Sequence, residues 1–422
     1  MKKKFLSVLL IVCIIAGMTM TAFAVSGKGT KENPFRIGTA EELLLLADFP
    51  DCYFELENDI ELTDAWTPIE NFSGVFDGKG HTITVSSYKN ADNIGFFSAL
   101  SGTVKNLTVN ADNTKLPSSS YNANCVGLIA GVCSGTIKNC NITGNLTCVS
   151  YGYTLQIGGI CGELSGTVNQ CMNSANIVLK PYKEGSNKAY IYYGNIAFQI
   201  NTKGSVINSV GTEESITSDN LFAYYSGIAN YNYGNITNCY CAGGKDLKVT
   251  SKFGISRGGT MTNCYFDKTV FSYDSSSTTY GIPKSTLAMK MEATYENWDF
   301  DTVWAIDESE ENPINGGYPY LRAFYATEDY PVTSSTVSVA GNNLIIDCKI
   351  KDVSDTYVVH VAFYDADNKL CDYCIIPNNR ELKDVFVVAR DDGQAQYAKI
   401  FTWSALNMIE PIAVSERVEI VR

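Results

Sequence analysis

The chain has 422 residues, 45% of them hydrophobic and 18% charged, so it can bury a core and is too long for one ordinary domain. Its formal charge of −13 repels phosphate backbones and sets nucleic acid aside as a partner. Abundant Gly, Tyr, Asn and Thr favour strands and turns over helices.

Residues 1–24 read as an export signal. Lys2, Lys3 and Lys4 precede an apolar run from Phe5 to about Gly17, and Ala22-Phe23-Ala24 supplies small residues two apart before the expected cleavage. The run is short of the ~20 apolar residues a membrane span needs. Removing the leader makes the charge −16, with no further apolar stretch. A secreted chain, or one held at the cell surface without a covalent anchor, is expected. The mature region opens with "TAEELLLLADF". Thr39 with Glu42 three residues on predicts a capping box, with Leu43 to Leu46 packing one face of a short helix. "ELENDIEL" and "FSGVFDGKGHTITV" then read as strands, with Asp77-Gly78 in a turn.

From Ser101 one phrase recurs: "SGTVKNL", "SGTIKNC", "SGTVNQC", "KGSVINS", "YGNITNC", "GGTMTNC". Aligned on Gly102, Gly135, Gly166, Gly204, Gly234 and Gly259, an apolar residue follows two places on. An amide follows at four (Asn106, Asn139, Gln170, Asn208, Asn238, Asn263), and a small or apolar residue at five (Leu107, Cys140, Cys171, Ser209, Cys239, Cys264). An upstream isoleucine column, Ile129, Ile160, Ile196, Ile228 and Ile255, is spaced by 31, 36, 32 and 27 residues. Short strands of period two that cannot bury a face alone predict stacking into a right-handed parallel β-helix over residues 25–324, like over like at ~4.8 Å. The amides are then a hydrogen-bonded ladder and the isoleucines an inward stack.

The cysteines follow from this. Cβ vectors that point the same way on neighbouring coils do not favour bridging, so these residues are expected to be buried small hydrophobes, not disulfides. "CYC" at Cys239 and "CDYC" at Cys371 resemble metal-ligand pairs but lack a second half, and only His81 and His360 are present; no metal or other cofactor is expected. "YIYYGN" and "FAYYSGIANYNYGN" place Tyr190, Tyr192, Tyr193, Tyr224, Tyr225, Tyr231 and Tyr233 on adjacent coils. An exposed strip of these rings would hold a sugar; the bland alternative is core packing. "STLAMKMEA" predicts a second short helix, after which Trp298, Phe300, Trp304 and Tyr318 are expected to plug the last coil. Residues 325–422 then alternate in strand periods and predict a small antiparallel β-sandwich of immunoglobulin or fibronectin kind.

"GTKENPFRI", "WTPI", "IGFFSALSGTVKNLTV" and "GLIAG", in that order, resemble the GLUG-repeat surface proteins of Gram-positive anaerobes, and "FTWSALNMIEPI" is similar to a β-sandwich module of clostridial exported proteins. The resemblance spans residues 29 to 324 and implies an adhesin-like β-helix without catalytic residues. The second glycine of the GLUG phrase is present at Gly131 and Gly162 but replaced by Phe198 and Asn230. A β-helix also hosts polysaccharide lyases and glycoside hydrolases. Paired carboxylates on successive coils are sparse here: Glu163 has Val132 and Gln199 as counterparts, and Arg257 is the only arginine within the repeats. The reading is therefore a secreted or surface-associated binding protein, expected to be monomeric, whose partner is a glycan or a surface protein. A polysaccharide-degrading enzyme is the alternative.

Overall fold

The computed structural model describes residues 25–325 and 332–421. Omitted within the first range are 113, 115, 117–124, 151–153, 182–189, 213–214, 219–221, 244–245, 248, 272–277 and 308–312. Omitted within the second are 341–342, 351–356, 367–368, 378–383, 391–394 and 405–410. The leader expected at 1–24 lies outside the described residues. The chain divides into two compact units, residues 1–324 and 325–422.

The first unit is a parallel β-helix. One full coil runs through Thr136–Lys138, Asn141–Thr143, Asn145–Ser150, Leu155–Gly158 and Cys161–Leu164 before the chain returns to Thr167–Asn169. Three walls result. The first is a nine-stranded parallel sheet from Phe35–Ile37 to Thr260–Thr262. The second holds another nine-stranded sheet, from Ile60–Leu62 to Ile282–Lys284, continued by a four-stranded one. The third is a pair, a six-stranded sheet containing Leu155–Gly158 and a five-stranded sheet containing Cys161–Leu164, joined by two residues.

The predicted columns are present. Val104, Ile137, Val168, Val206 and Ile236 pair in register along the first wall, all fully buried. The isoleucines stack between the sheets of the third wall. Ile129, Ile160, Ile196 and Ile228 each donate a backbone N–H to the carbonyl of the next isoleucine, at 2.9–3.1 Å. Burying each such side chain is worth ~1.5–3 kcal/mol.

The amide column has a backbone reason beyond its side chains. All six members, Asn106, Asn139, Gln170, Asn208, Asn238 and Asn263, adopt φ between 47 and 55°. This left-handed conformation turns the chain between the first and second walls, and Asn tolerates it best among residues with a side chain. At two steps of the ladder the side chains join: Asn139 donates to Asn106 and Asn263 to Asn238, each at 3.2 Å. At Gln170 the ladder breaks, and Asn208 reaches Asn169 instead, at 3.5 Å. The ladder begins on a carboxylate. Asp77 accepts from Asn106 at 3.0 Å, from the Lys79 N–H at 2.9 Å and from the Lys105 ammonium at 2.9 Å. Burial alone would raise its pKa, but these donors together hold it below the ordinary carboxylate value.

The next column is held by thiols acting as donors. Cys140, Cys171, Cys239 and Cys264 each point Sγ at the carbonyl two residues earlier, at 3.2–3.3 Å, and Ser209 makes the same bond with its hydroxyl at 2.8 Å. From Cys140 onward the position takes a small side chain with one proton to give, which Ser and Cys share. The four thiols are free, and burial pushes those of Cys140 and Cys239 far above the usual range. In the glycine column a Cβ at Gly135 or Gly166 would sit 2.0 Å from the carbonyl of the coil below, so no other residue fits.

At the N-terminal end the capping box forms: Glu42 Oε2 accepts from the Gly38 and Thr39 N–H groups, and Thr39 Oγ1 from the Glu42 N–H. The helical turns Glu42–Leu44 and Leu45–Asp48 bury Leu43 and Leu46, three residues apart, while Leu44 is 58% exposed. The expectation that all four leucines pack one face is corrected by the helical period, which puts i and i+3 together and turns i+1 outward. At the far end Ser285 caps Thr286–Met289. Tyr295, Trp298, Trp304 and Tyr318 gather on Tyr240, and the Trp298 indole N–H reaches the Asn263 carbonyl at 3.0 Å. Tyr240 pairs in register with Val210, one residue before the inward Cys241, so this cluster covers the flank of the second wall rather than plugging the last coil.

Among its described residues the second unit has seven strands. Val332–Ala340, Asn343–Ile350 and Asp384–Arg390 form one ladder, and Tyr357–Tyr364, Leu370–Pro377 and Tyr397–Ser404 another. The pairing was expected to be antiparallel throughout. The last strand, Pro411–Val421, departs from this: it runs antiparallel beside Tyr397–Ser404 and then parallel to Val332–Ala340 through Val337↔Ile420. At 11 residues it is long enough to serve both ladders.

Candidate binding surface

The two sheets of the third wall meet at a bend whose outer side is inward-folded. In the early coils a glycine makes that bend tight. A Cβ on Gly131 would stand 2.5 Å from the Asn93 Cβ, and one on Gly162 2.6 Å from the Cys125 Cβ. The later coils carry side chains at this same register position. Ala130, Cys161, Ala197 and Ala229 pair in succession, and Ala229 bridges to Ser256, so Phe198, Asn230 and Arg257 follow Gly131 and Gly162.

An aromatic surface lies on these later coils. Tyr190–Gly194 pairs with Phe222–Ser226, setting Tyr190 against Phe222 and Tyr192 against Tyr224. Tyr190 and Phe222 stack with centroids 5.3 Å apart, Tyr192 and Tyr224 at 5.0 Å. Across the bend Tyr231 lies 6.1 Å from Tyr192 and edge-on to Phe198 at 5.6 Å. Arg257 covers the junction. Its guanidinium carbon is 5.0 Å from the Tyr231 centroid, 5.7 Å from Tyr224 and 5.9 Å from Tyr192, and Nη1 donates to the Tyr231 hydroxyl at 3.0 Å. Burial raises the Tyr192 phenol pKa; the neighbouring Tyr231 and Tyr224 hydroxyls add to this and Arg257 opposes it. Tyr190 is 44% exposed and Tyr233 61%, with Tyr192, Tyr224 and Tyr231 half-buried. Below Arg257 an open cleft of about 480 Å³ is lined by Asn230, Tyr231, Asn232 and Tyr233.

Two of the seven predicted tyrosines are elsewhere. Tyr193 and Tyr225 face the core, 2% and 0% exposed, which removes them from any surface site. They stand in register with Ile157, and their hydroxyls are used internally: Asn173 donates to Tyr193 at 2.8 Å, and Tyr225 meets the Cys241 thiol at 3.2 Å. Sequence reasoning also missed members. Phe222 and Arg257 belong to the surface and Phe198 and Asn230 lie buried beneath it, and the signal was available in three of the four. Phe198 and Asn230 are the departures from the repeating glycine, and Arg257 is the lone arginine of the repeats.

Two carboxylates of the solenoid are committed to other contacts. Asp77 heads the amide ladder. Asp59 accepts from the Thr82 N–H at 2.8 Å and meets His81 Nδ1 at 3.3 Å. Among the described residues no three His, Cys, Asp or Glu side chains converge as metal ligands, and no helix is long and apolar enough to cross a membrane.

No family model matches the chain. Part of it is 30% identical, over 171 residues, to halomucin of Haloquadratum walsbyi, and part is 32% identical, over 129 residues, to a protein of Evansella cellulosilytica provisionally named a Gly-rich membrane protein. These matches take in 35% and 28% of this chain but only 2% and 14% of the relatives, so the chain spans a small part of either. A solved structure from Bacteroides ovatus, provisionally named an immunoglobulin A1 protease, aligns over 70% of this chain and 94% of its own at 20% identity, with a TM-score of 0.48.

Proposed function

We propose that the protein is an exported, surface-displayed binding protein of the GLUG-repeat kind, and that it holds a glycan on the aromatic surface of its later coils. The carrying observation is the set of rings stacked on one another from two neighbouring coils, Tyr190 on Phe222 and Tyr192 on Tyr224, with Tyr231 closing the bend. Sugar rings offer apolar C–H faces to such aromatic groups and hydroxyls to polar rims, here the cleft beside Tyr233. The carboxylates of the solenoid described above are held by lysine, histidine or backbone donors, which favours binding over hydrolysis by a carboxylate pair. A membrane-protein name on one relative is in keeping with a cell-surface location.

A glycan array probed with the secreted chain, run beside a reducing-sugar release assay on the same glycans, tests this. Retention of a glycan set that is lost on Tyr192→Ala, without sugar release, supports it. Sugar release by the wild-type chain would install the degrading enzyme in its place, and an empty array would remove the glycan.

A further inference from the structure

Resting on the glycan reading, we infer that the ligand is an acidic sugar, and that Arg257 receives its carboxylate or sulfate in the cleft beside Tyr233. Among the described residues Arg257 has no carboxylate partner, in a chain whose formal charge is −13. Its Nη1 gives one hydrogen bond, to the Tyr231 hydroxyl, and the rings of Tyr192, Tyr224, Tyr231 and Phe253 surround its planar face. The remaining N–H donors of the fork have no described acceptor. A guanidinium held flat by rings has already lost the freedom that binding would otherwise remove, and its fork matches a planar two-oxygen anion. It is half-buried at the rim of the cleft, so an anion there is partly shielded from water and salt.

A buried amide lies behind the cleft. Asn230 is fully buried and lines it. Its Nδ2 donates to the Tyr224 carbonyl at 3.3 Å, while its Oδ1 has no partner among the described residues. Buried amide oxygens of this kind are costly to leave unpaired. Arg257 supplies donors to the acid group of the sugar. Tyr233, the most exposed ring of the set, stands on the other side as a stacking face.

Four trisaccharides decide the matter by titration against the full chain: a galacturonate trimer, its methyl ester, a sulfated galactose trimer and the neutral galactose trimer. The free acid or the sulfate is expected to bind about tenfold or more tighter than the ester and the neutral sugar, the scale of one charge-assisted hydrogen-bonded pair. Whichever of the two binds tighter names the anion. Arg257→Gln is expected to bring that anion down to the level of the ester, and Arg257→Lys to restore part of the preference with a steeper loss in salt. Equal affinity for acid, sulfate, ester and neutral sugar in the wild-type chain, a comparison that needs no variant to fold, overturns this inference while leaving the glycan reading in place. Binding of none of the four, with an empty array, overturns both.

Discussion

The early and late coils share one frame and present different surfaces. Around Gly131 and Gly162 the bend of the third wall closes on itself, backbone against Cβ, and leaves nothing for a ligand to hold. One, two and three coils after Gly162 the same register position bears Phe198, Asn230 and Arg257, and the strands beside it bear Tyr192 and Tyr224. Two columns are kept meanwhile: isoleucine follows isoleucine, and the left-handed turn returns at each amide. In a solenoid the stabilising columns and the surface are written at separate positions of each repeat, so one can diverge while the other is kept. Function in such a fold is found where the repeat stops repeating.

The sharpest way to break the contrast is to write the late residue into an early coil. Gly162→Phe sets a Cβ 2.4 Å from the Gly131 carbonyl, and is expected to cost ~3 kcal/mol or more as overpacking against backbone. Phe198→Ala is expected to cost ~3 kcal/mol by cavity formation, since the ring is buried, and so to show the opposite sign of size dependence at the same register. Urea midpoints of the two variants check both. If Gly162→Phe is neutral, the early bend is not tight.

The shared frame can be probed with smaller effects. Asn238→Ala puts an ordinary Cβ residue at φ 51° and removes the acceptor of Asn263, for an expected loss of ~1–2 kcal/mol in denaturant unfolding. Cys239→Ser is expected to stay within about 1 kcal/mol of the wild type, because Ser209 already fills that column with the same bond. A similarly small effect is expected at the ladder's foot. The lowered pKa of Asp77 means its charged form stabilises the fold above the unfolded-state value near 3.8, and that contribution is lost as pH falls through the folded value. Asp77→Asn should therefore destabilise at pH 7 by roughly 1 kcal/mol, since Lys105 is well exposed, and the difference from the wild type should shrink towards pH 2.

The columns were readable in the sequence because like-over-like stacking forces one residue type to recur at one offset: glycine, then amide, then thiol. The capping box was readable for the same local reason. Parity was harder. Alternation says that Tyr192 and Tyr193 point opposite ways, but which one faces inward is set by pairing with Val126 and Ile157 on earlier coils. The tyrosine directly before Gly194 stands where those apolar residues stand, a signal present but unused. Arg257 was visible as an isolated charge, yet its position over three rings depends on how two sheets bend towards each other, which no spacing states. The flank position of the tryptophan cluster likewise depends on Tyr240 facing outward, a matter of register rather than composition.

Paired substitutions read by one binding isotherm test the central contrast most directly. The trisaccharide of highest affinity is titrated against Tyr192→Ala/Tyr224→Ala and against Val132→Ala/Gln156→Ala, which change outward positions on late and early coils of the same wall. A tenfold or greater loss for the tyrosine pair with no change for the early pair is the predicted result. Equal losses in both, or none in either, would contradict the assignment of the ligand surface to the late coils.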